Sequence, residues 1–234
     1  MNTSKGLFFD VGGTVFDWKN TVKKEIAALA EQQGQQLNSE AFAVDWRATM
    51  FRIHSEVRNG NMPWMNSDDM HLLALEHMAS RYPLLNDIDK QGLIHTTWHN
   101  LKVFEGAAAA IARLRTRYTV MVLTILNMES IVNSSKNGGV IWDAILSCEL
   151  LGYYKPSLQA YEKAIGLMGF QAGETTMVAA HKGDLAAAAK VGMRTVYVQV
   201  PEEDHVEEGF SESAETTVDF EADSFKALCA HFNV

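Results

Sequence analysis

The chain has 234 residues, and its 47% hydrophobic and 21% charged residues exclude a disordered protein and allow a sizeable buried core. Twenty basic against twenty-nine acidic residues give a net charge of −9, which argues against nucleic-acid and membrane-surface partners but leaves room for a small anionic substrate in a local basic pocket. The two cysteines fit no metal motif or disulfide framework, and neither a signal-peptide pattern nor an apolar run of about 18 residues occurs, so we expect a cytoplasmic protein.

The first predicted element is a buried strand that ends at an acid. The apolar run over residues 6–9 leads into Asp10, and Gly12 and Gly13 then permit a tight turn whose backbone N–H groups can face inward. A carboxylate is costly to place at the end of a buried strand, so this position is a natural site for chemistry. An ordinary Asx turn is the alternative interpretation.

Four helices are predicted next, with no strand between them. Apolar residues at helical spacing place these helices at residues 21–33, 38–59, 67–82 and 87–101. Such a helical block is unlike the rest of the chain, and it predicts a helical cap that is inserted after the first strand.

Strands and helices alternate from residue 104 onward. We predict strands at 119–125, 144–148, 176–180 and 194–200, and helices at 107–118, 128–135, 157–168 and 184–189. An exposed loop at 202–215, an edge strand at 216–220 and a helix at 224–232 complete the chain. This alternation is typical of right-handed βαβ units and a parallel sheet.

The predicted fold class is therefore α/β, with a Rossmann-like, doubly wound parallel sheet as its core. We predict a core domain from residues 1–16 and 102–234, and a helical cap subdomain at residues 17–101. Ligands bind at the carboxyl ends of strands in such sheets. The polar residues predicted there are Asp10, Thr14, Thr124, Lys155, His181 and Asp184. Each alone has an ordinary structural explanation, such as a strand-end cap, a surface loop charge or a helix N-cap.

This ordered set of residues resembles the motifs of the haloacid dehalogenase superfamily over essentially the whole chain. The resemblance implies that Asp10 is a nucleophile that forms a covalent ester or acyl phosphate. It further implies that Thr124 hydrogen-bonds Asp10 or the substrate, that Lys155 neutralises and orients the carboxylates, and that Asp184 lies opposite.

Two positions favour one branch of this superfamily. Phosphatase members place a second Asp two residues after the nucleophile, where this chain has Gly12, and a halide, unlike an alkoxide, leaves without a proton. Metal-dependent members usually carry a further acid where this chain has Ala180. The chain therefore most resembles the type II 2-haloacid dehalogenases, which work without a metal and convert a 2-haloalkanoic acid to the 2-hydroxy acid. This resemblance implies that no cofactor is needed and that Asp184, with its neighbour His181, positions the hydrolytic water, although His181 could instead cap a helix.

The predicted cap and the neighbouring helices supply further matches. Trp46 and Arg47 resemble a family pair whose guanidinium receives the halide or the carboxylate, and Tyr161 matches a tyrosine near the family's active site. The aromatic residues Phe16, Trp18, Phe51 and Trp64 are candidates for an apolar wall or for ordinary core.

One departure concerns the halide site, and one expectation concerns assembly. Dehalogenases have an Asn after the motif threonine, where this chain has Ile125, and Asn127 is the candidate substitute. Dimers are common in the family, so a homodimer is also an expectation.

Two other functions remain open from the residues, and a third is discounted. A magnesium-dependent phosphatase or phosphonatase would act on a small phosphorylated metabolite, with Asp10, the Gly12 carbonyl and Asp184 around the ion. A catalytically decayed member would only bind a metabolite or partner. The run Asp10–Thr14 also resembles the phosphate loop of actin-like sugar kinases, but those need a second nucleotide-binding half.

Overall fold

The computed structural model describes residues 4–200 and 217–234, and its main feature is a parallel sheet. The strands of this described part are β1 (Gly6–Phe9), β2 (Phe16–Asp17), β3 (Lys102–Val103), β4 (Thr119–Thr124), β5 (Ala144–Ser147), β6 (Thr175–Ala179), β7 (Arg194–Val198) and β8 (Phe220–Ala222). Six of them form one sheet in the order β5–β4–β1–β6–β7–β8, and each neighbouring pair is parallel. The predicted α/β fold class is confirmed.

Strand β1 lies inside this sheet and is paired on both sides. Gly6 is opposite Thr119 of β4, and β6 pairs along the other edge of the same strand. Its side chains alternate between two apolar clusters, because successive strand residues face opposite ways. Leu7 and Phe9 belong to one cluster and Phe8 to the other. A strand that is buried on both faces explains why its sequence is a continuous apolar run.

Helices cover both faces of the sheet. The helices of the described residues are α1 (Trp18–Gln32), α2 (Ser39–Arg58), α3 (Ser67–Met78), α4 (Lys90–Thr97), α5 (Ala107–Leu114), α6 (Met128–Gly138), α7 (Cys148–Leu151), α8 (Leu158–Leu167), α9 (Lys182–Lys190) and α10 (Phe225–His231). Ile111 of α5 and Leu228 of α10 belong to the cluster of Leu7, whereas Tyr161 of α8 and Leu185 of α9 belong to the other. This layering makes the sheet doubly wound.

Helices α1–α4 form an insertion between the short strands β2 and β3. These two strands pair antiparallel, with Phe16 opposite Val103, so the two ends of the insertion lie side by side. Buried residues of the insertion, among them Phe42 and Leu75, belong to the same apolar cluster as Leu7 of the sheet. The core and cap boundaries given above stay predictions.

Several predicted helices are shorter in the structure. Helix α3 ends at Met78 instead of residue 82, and a 3-10 turn over Pro83–Asn86 separates it from α4. Proline lacks the N–H that a continuing helix would need, which accounts for the break. Strands β2 and β3, of two residues each, and helix α7, a single turn directly after β5, were not predicted, because elements this short carry no helical or strand periodicity of their own.

The C-terminal part differs in one strand position. The edge strand lies at Phe220–Ala222 instead of residues 216–220, while the predicted loop at 202–215 lies outside the described residues. Cys148 and Cys229 are buried and free. In the described ranges, every helix is too short or too polar to cross a bilayer.

Candidate active site

The candidate active site begins at the carboxyl end of β1. Asp10 directly follows this strand, and its backbone N–H donates to the carbonyl oxygen of Val178 in β6 at 3.0 Å. Its side chain therefore lies at the edge of the sheet where the ends of β4 and β6 flank it, as expected for a ligand site in a doubly wound fold.

The turn after Asp10 corrects the prediction that its N–H groups face inward. Gly13 has a φ of 86°, which glycine adopts without strain, and its N–H donates to Phe16 O at 2.8 Å. The N–H groups of Thr14 and Phe16 donate to Val11 O at 3.3 and 2.8 Å. The turn closes on itself, so these donors are not available to a ligand and the prediction is wrong at these positions.

A buried lysine bridges two carboxylates at the centre of the site. Lys155 Nζ lies 2.9 Å from Asp10 Oδ1 and 2.7 Å from Asp184 Oδ2. Only 2% of Lys155 and 1% of Asp184 are exposed, so bulk solvent does little to stabilise their charges. Charges buried this far are tolerated only when they are paired and hydrogen-bonded. The three side chains therefore form one electrostatic unit.

The remaining carboxylate oxygens also have protein donors. Asp10 Oδ2 accepts a hydrogen bond from Thr14 Oγ1 and contacts His181 Nδ1, both at 2.9 Å. Tyr161 OH donates to Asp184 Oδ1. The network thus accounts for all four carboxylate oxygens, and it holds both acids in fixed positions.

The network shifts the pKa values of its members in opposite directions. Burial alone would raise the pKa of Asp10, but the charge of Lys155 and the contact with His181 bring it well below its usual range. Burial would lower the pKa of Lys155, but the two carboxylates raise it. Burial, together with the charge of Asp10, raises the pKa of Asp184 against the opposing effect of Lys155. Asp10 is therefore the ionised acid, and Asp184 is the one better able to take a proton.

A contact across the cavity joins the helical insertion to this network. Arg47 of α2 has a guanidinium nitrogen 3.4 Å from His181 Nε2, while His181 Nδ1 faces Asp10. The partners imply a neutral imidazole that donates from Nδ1 and accepts at Nε2. The guanidinium carbon lies 4.3 Å from the ring centre of Trp18 and 5.3 Å from that of Phe51. Arg47 is thus held by aromatic faces at the cavity wall.

The cavity above Asp10 is small and mostly apolar. Its volume is about 40 Å³, and since one water needs roughly 10–15 Å³ on this measure, it admits only a small ligand. Its lining residues are Asp10, Gly12, Trp18, Arg47, Met50, Phe51, Trp98, Thr124, Ile125, Leu126, Lys155, His181 and Asp184. The predicted residues Asp10, Arg47, Thr124, Lys155, His181 and Asp184 are therefore brought together at one wall.

Three predicted substrate-binding residues lie behind this wall. Trp46 is fully buried, and its indole N–H donates to a backbone carbonyl of α3 at 3.2 Å. Tyr161 contacts Asp184 from below the cavity. Asn127 Oδ1 accepts hydrogen bonds from the backbone N–H and the hydroxyl of Ser67, at 2.9 and 2.6 Å. The structure does not place these three residues among the cavity-lining residues.

The apolar part of the wall was only partly predicted. Trp18 and Phe51 line the cavity, but Phe16 is core and Trp64 is half exposed beside Tyr154. Sequence reasoning assigned no wall role to Met50, Trp98, Leu126 or Ile125. Periodicity could have found Met50, which lies one helical turn beyond Trp46 and Arg47, whereas Trp98 reaches the cavity only through tertiary packing.

The residues present do not fit the alternative magnesium ion. Mg²⁺ prefers octahedral coordination by oxygen. Here a lysine ammonium already lies between the carboxylates of Asp10 and Asp184, within 2.9 Å of both. Position 180, the other acid position of the metal-dependent pattern, holds Ala180, whose backbone N–H donates to Thr14 Oγ1. A cation here would face the charge of Lys155, and Ala180 offers no carboxylate to help hold it.

Residues 4–192 match the family model of the haloacid dehalogenase-like hydrolases. The structure is similar to that of the L-2-haloacid dehalogenase PA0810, with a TM-score of 0.88 and 27% identity over 98% of this chain and 99% of that one. It is also similar to the defluorinating L-2-haloacid dehalogenase Rha0230, with a TM-score of 0.89 and 25% identity over 99% and 96%.

A more distant likeness concerns the fold alone. The L-2-haloacid dehalogenase from Xanthobacter autotrophicus has a TM-score of 0.80 at 17% identity, over 98% of each chain. No curated protein sequence matches the chain.

Proposed function

The chain belongs to the haloacid dehalogenase-like hydrolases, and we propose that it hydrolyses the carbon–halogen bond of a small 2-haloalkanoic acid through an ester on Asp10. The observation that carries the proposal is a buried Asp10 beside Lys155 in a small, mostly apolar cavity that is also lined by Arg47. The reaction needs no cofactor. A small anionic substrate fits the size and charge of the cavity, and the homodimer stays a prediction.

In the first step, a carboxylate oxygen of Asp10 attacks the halogen-bearing carbon of the substrate. The new C–O bond forms as the C–X bond breaks, and the halide leaves with the bonding electron pair. The pKa of Asp10, held below its usual range by Lys155 and His181 against its burial, keeps the attacking group ionised. The apolar wall removes water from the nucleophile, which would otherwise be stabilised by solvation.

Arg47 is the group we assign to the anionic parts of the substrate. Its guanidinium stays charged in a dry site and suits a planar carboxylate or a departing halide. Trp18 and Phe51 lie beside it and fix its position over the cavity. The contact with His181 gives Arg47 a fixed distance from Asp10, which favours a substrate held between the two.

In the second step, water attacks the carbonyl carbon of the Asp10 ester. One proton of the water passes to a base as the new C–O bond forms. The bond between the acyl carbon and the alcohol oxygen then breaks, and the alcohol oxygen takes a proton from that base. The second proton of the water is released to solvent as the Asp10 carboxylate is restored. Asp184 is the best candidate base, because its burial raises its pKa. His181 touches Asp10 and is placed to orient the water, as the sequence predicts.

Gly12 supports carbon–halogen cleavage over phosphate-ester cleavage. A Cβ atom built at Gly12 would meet only Leu126 Cδ1 at 3.5 Å, which is an ordinary contact. Its φ is not positive either, so the backbone would accept an acid at this cavity-lining position. Lack of space therefore does not explain why position 12 has no acid. A halide, unlike an alkoxide, leaves without needing it.

The test is chloride release from L-2-chloropropionate in the presence of chelator, beside p-nitrophenyl phosphate hydrolysis with magnesium. We expect chelator-resistant chloride release by the wild type and a loss of about 10⁴-fold or more for Asp10→Asn. Asp87→Asn, at an exposed acid of the insertion, is the matched control and keeps wild-type activity.

A single turnover in ¹⁸O-labelled water tests the ester itself. If Asp10 forms the ester, the first product carries an unlabelled oxygen and the label enters Asp10, whereas direct attack by water labels the product. Magnesium-dependent phosphate release without chloride release would instead assign a phosphatase. No turnover with a panel of 2-haloacids and phosphate esters would leave a binding protein.

A further inference from the structure

We propose that His95, His99 and Glu129 bind a zinc ion where the helical insertion meets the sheet domain. One ligand atom of each residue lies within 4.8 Å of the others. His95 belongs to the last turn of α4, and His99 lies in the turn that follows, with its ring centre 4.3 Å from that of His95. Glu129 lies in the first turn of α6. The three residues come from two segments that are far apart in the chain, so only the fold brings them together.

The hydrogen bonding of His99 suits a metal ligand. It is 3% exposed, and its Nε2 lies 2.7 Å from Asp68 Oδ2. This pairing places the ring proton on Nε2, so Nδ1 keeps its lone pair. Nδ1 is buried and has no hydrogen-bond partner among the described residues. A ligand histidine whose other nitrogen donates to a carboxylate is the usual arrangement around zinc, because the carboxylate fixes the tautomer and orients the ring.

The ligand set favours zinc among the common divalent ions. Two imidazoles and one carboxylate give three protein ligands and leave a fourth position for water, whereas Mg²⁺ and Ca²⁺ prefer oxygen alone. In a tetrahedral site with bonds of about 2.0–2.1 Å, ligand atoms are about 3.3 Å apart. His95 and Glu129 are exposed, so their side chains can close this remaining distance, and they also leave an entry path for the ion.

The proposed zinc site lies at the junction between the helical insertion and the sheet domain. Bound zinc would link α4 and, through Asp68, α3 to the start of α6. Trp98 and Leu126 both line the cavity, and each lies within three residues of a zinc ligand. None of the three ligands lines the cavity itself. The ion would therefore hold the insertion in place without taking part in the reaction, and the inference does not rest on the proposed function.

The test is titration of the full chain with zinc chloride after chelator treatment. We expect one zinc per chain by calorimetry and by metal analysis, and a rise in Tm of about 5–10 °C at a zinc concentration about 100 times the Kd. His95→Ala and Glu129→Gln should each weaken binding by 10-fold or more, and Asp68→Asn by about 10–100-fold. His77→Ala, at an exposed histidine of α3, is the matched control and keeps wild-type binding.

The two principal variants replace exposed side chains, so loss of binding would not reflect loss of the fold. Zinc binding that is equally strong in His95→Ala, Glu129→Gln and wild type would place the ion elsewhere and overturn the proposal. Binding of the wild type no tighter than millimolar would overturn it as well. Both readouts are independent of catalysis, so they remain interpretable if the proposed hydrolase activity fails.

Discussion

The sheet edge and the helical insertion bury polar groups in opposite ways. At the sheet edge, Lys155 is bonded to two carboxylates, and each carboxylate oxygen has a donor. In the insertion, His54 Nε2, both ring nitrogens of His71 and Trp98 Nε1 have no hydrogen-bond partner among the described residues. The sheet edge keeps its charges because it pairs them, whereas the insertion can bury imidazoles only in the neutral state.

The pKa values follow this difference. Burial, together with the charges of Arg58 and Lys155, lowers the pKa of His54 to about 3. Burial also lowers the pKa of His71 to about 3. At the sheet edge, in contrast, the pKa of Lys155 is raised by its carboxylates in spite of burial. As the pH falls, protonation should therefore begin to destabilise the insertion at a higher pH than it destabilises the Asp10 network.

The largest effect is expected from removing the cation of the sheet edge. Lys155→Met leaves Asp10 and Asp184 facing each other in a buried site, and breaking a buried pair in this way costs about 3–5 kcal/mol. Urea unfolding measures this loss as a lower midpoint, and chloride release should be abolished in the same variant.

Two further variants sharpen this result. Lys5→Met removes a surface pair with Glu174, in which the lysine side chain is 65% exposed, and should cost only about 0–1 kcal/mol. Adding Asp10→Asn to Lys155→Met removes one uncompensated charge and should restore part of the stability. If Lys155→Met costs no more than Lys5→Met, the sheet-edge network is not the stabilising unit described above.

The next effect concerns acid and the insertion. His71 has a folded-state pKa of about 3 against about 6.5 when unfolded. Between these two pH values the unfolded chain binds more protons than the folded chain. The stabilisation that comes from a neutral His71 is therefore fully present above about pH 6.5 and is lost as the pH falls. The loss is about 1.4 kcal/mol per pH unit for each such histidine. Urea unfolding of His71→Leu between pH 4.5 and 6 should therefore show a shallower fall in stability than wild type.

The control is again an exposed histidine. His77→Ala should keep the wild-type dependence of stability on pH. The comparison of slopes isolates His71, because the carboxylates of the sheet edge are unchanged in both variants. Equal slopes for His71→Leu and wild type would mean that His71 does not enter the folded state uncharged.

The smallest effect is expected where the two regions touch. Asn127, just before α6, and Ser67, at the start of α3, exchange hydrogen bonds of 2.6–2.9 Å. Ser67→Ala leaves the buried N–H of Asn127 without its acceptor, which should cost about 1–3 kcal/mol in thermal or urea unfolding. Ser80→Ala, at an exposed position of the insertion, should be neutral. A neutral Ser67→Ala would show that this hydrogen-bonded pair does not help to hold the two regions together.

The sequence by itself determined the strand order along the chain and the positions at which strands end. A fully buried strand has to be a continuous apolar run, so β1, β4, β6 and β7 could be predicted. The carboxyl ends of parallel strands share one edge of the sheet, so the meeting of Asp10, Lys155 and Asp184 could be predicted as well. The resemblance to the family motifs added Arg47 to the predicted site.

Only the tertiary structure decided what each polar side chain contacts. Asn127 is hydrogen-bonded to Ser67, and His181 contacts both Arg47 and Asp10. In each of these contacts the two residues are far apart in the sequence. Likewise, His95 and His99 come close to Glu129 only because the fold brings the end of α4 near the start of α6. Hydrogen bonds and metal ligation depend on distances of a few ångströms, which helical periodicity and strand order do not specify.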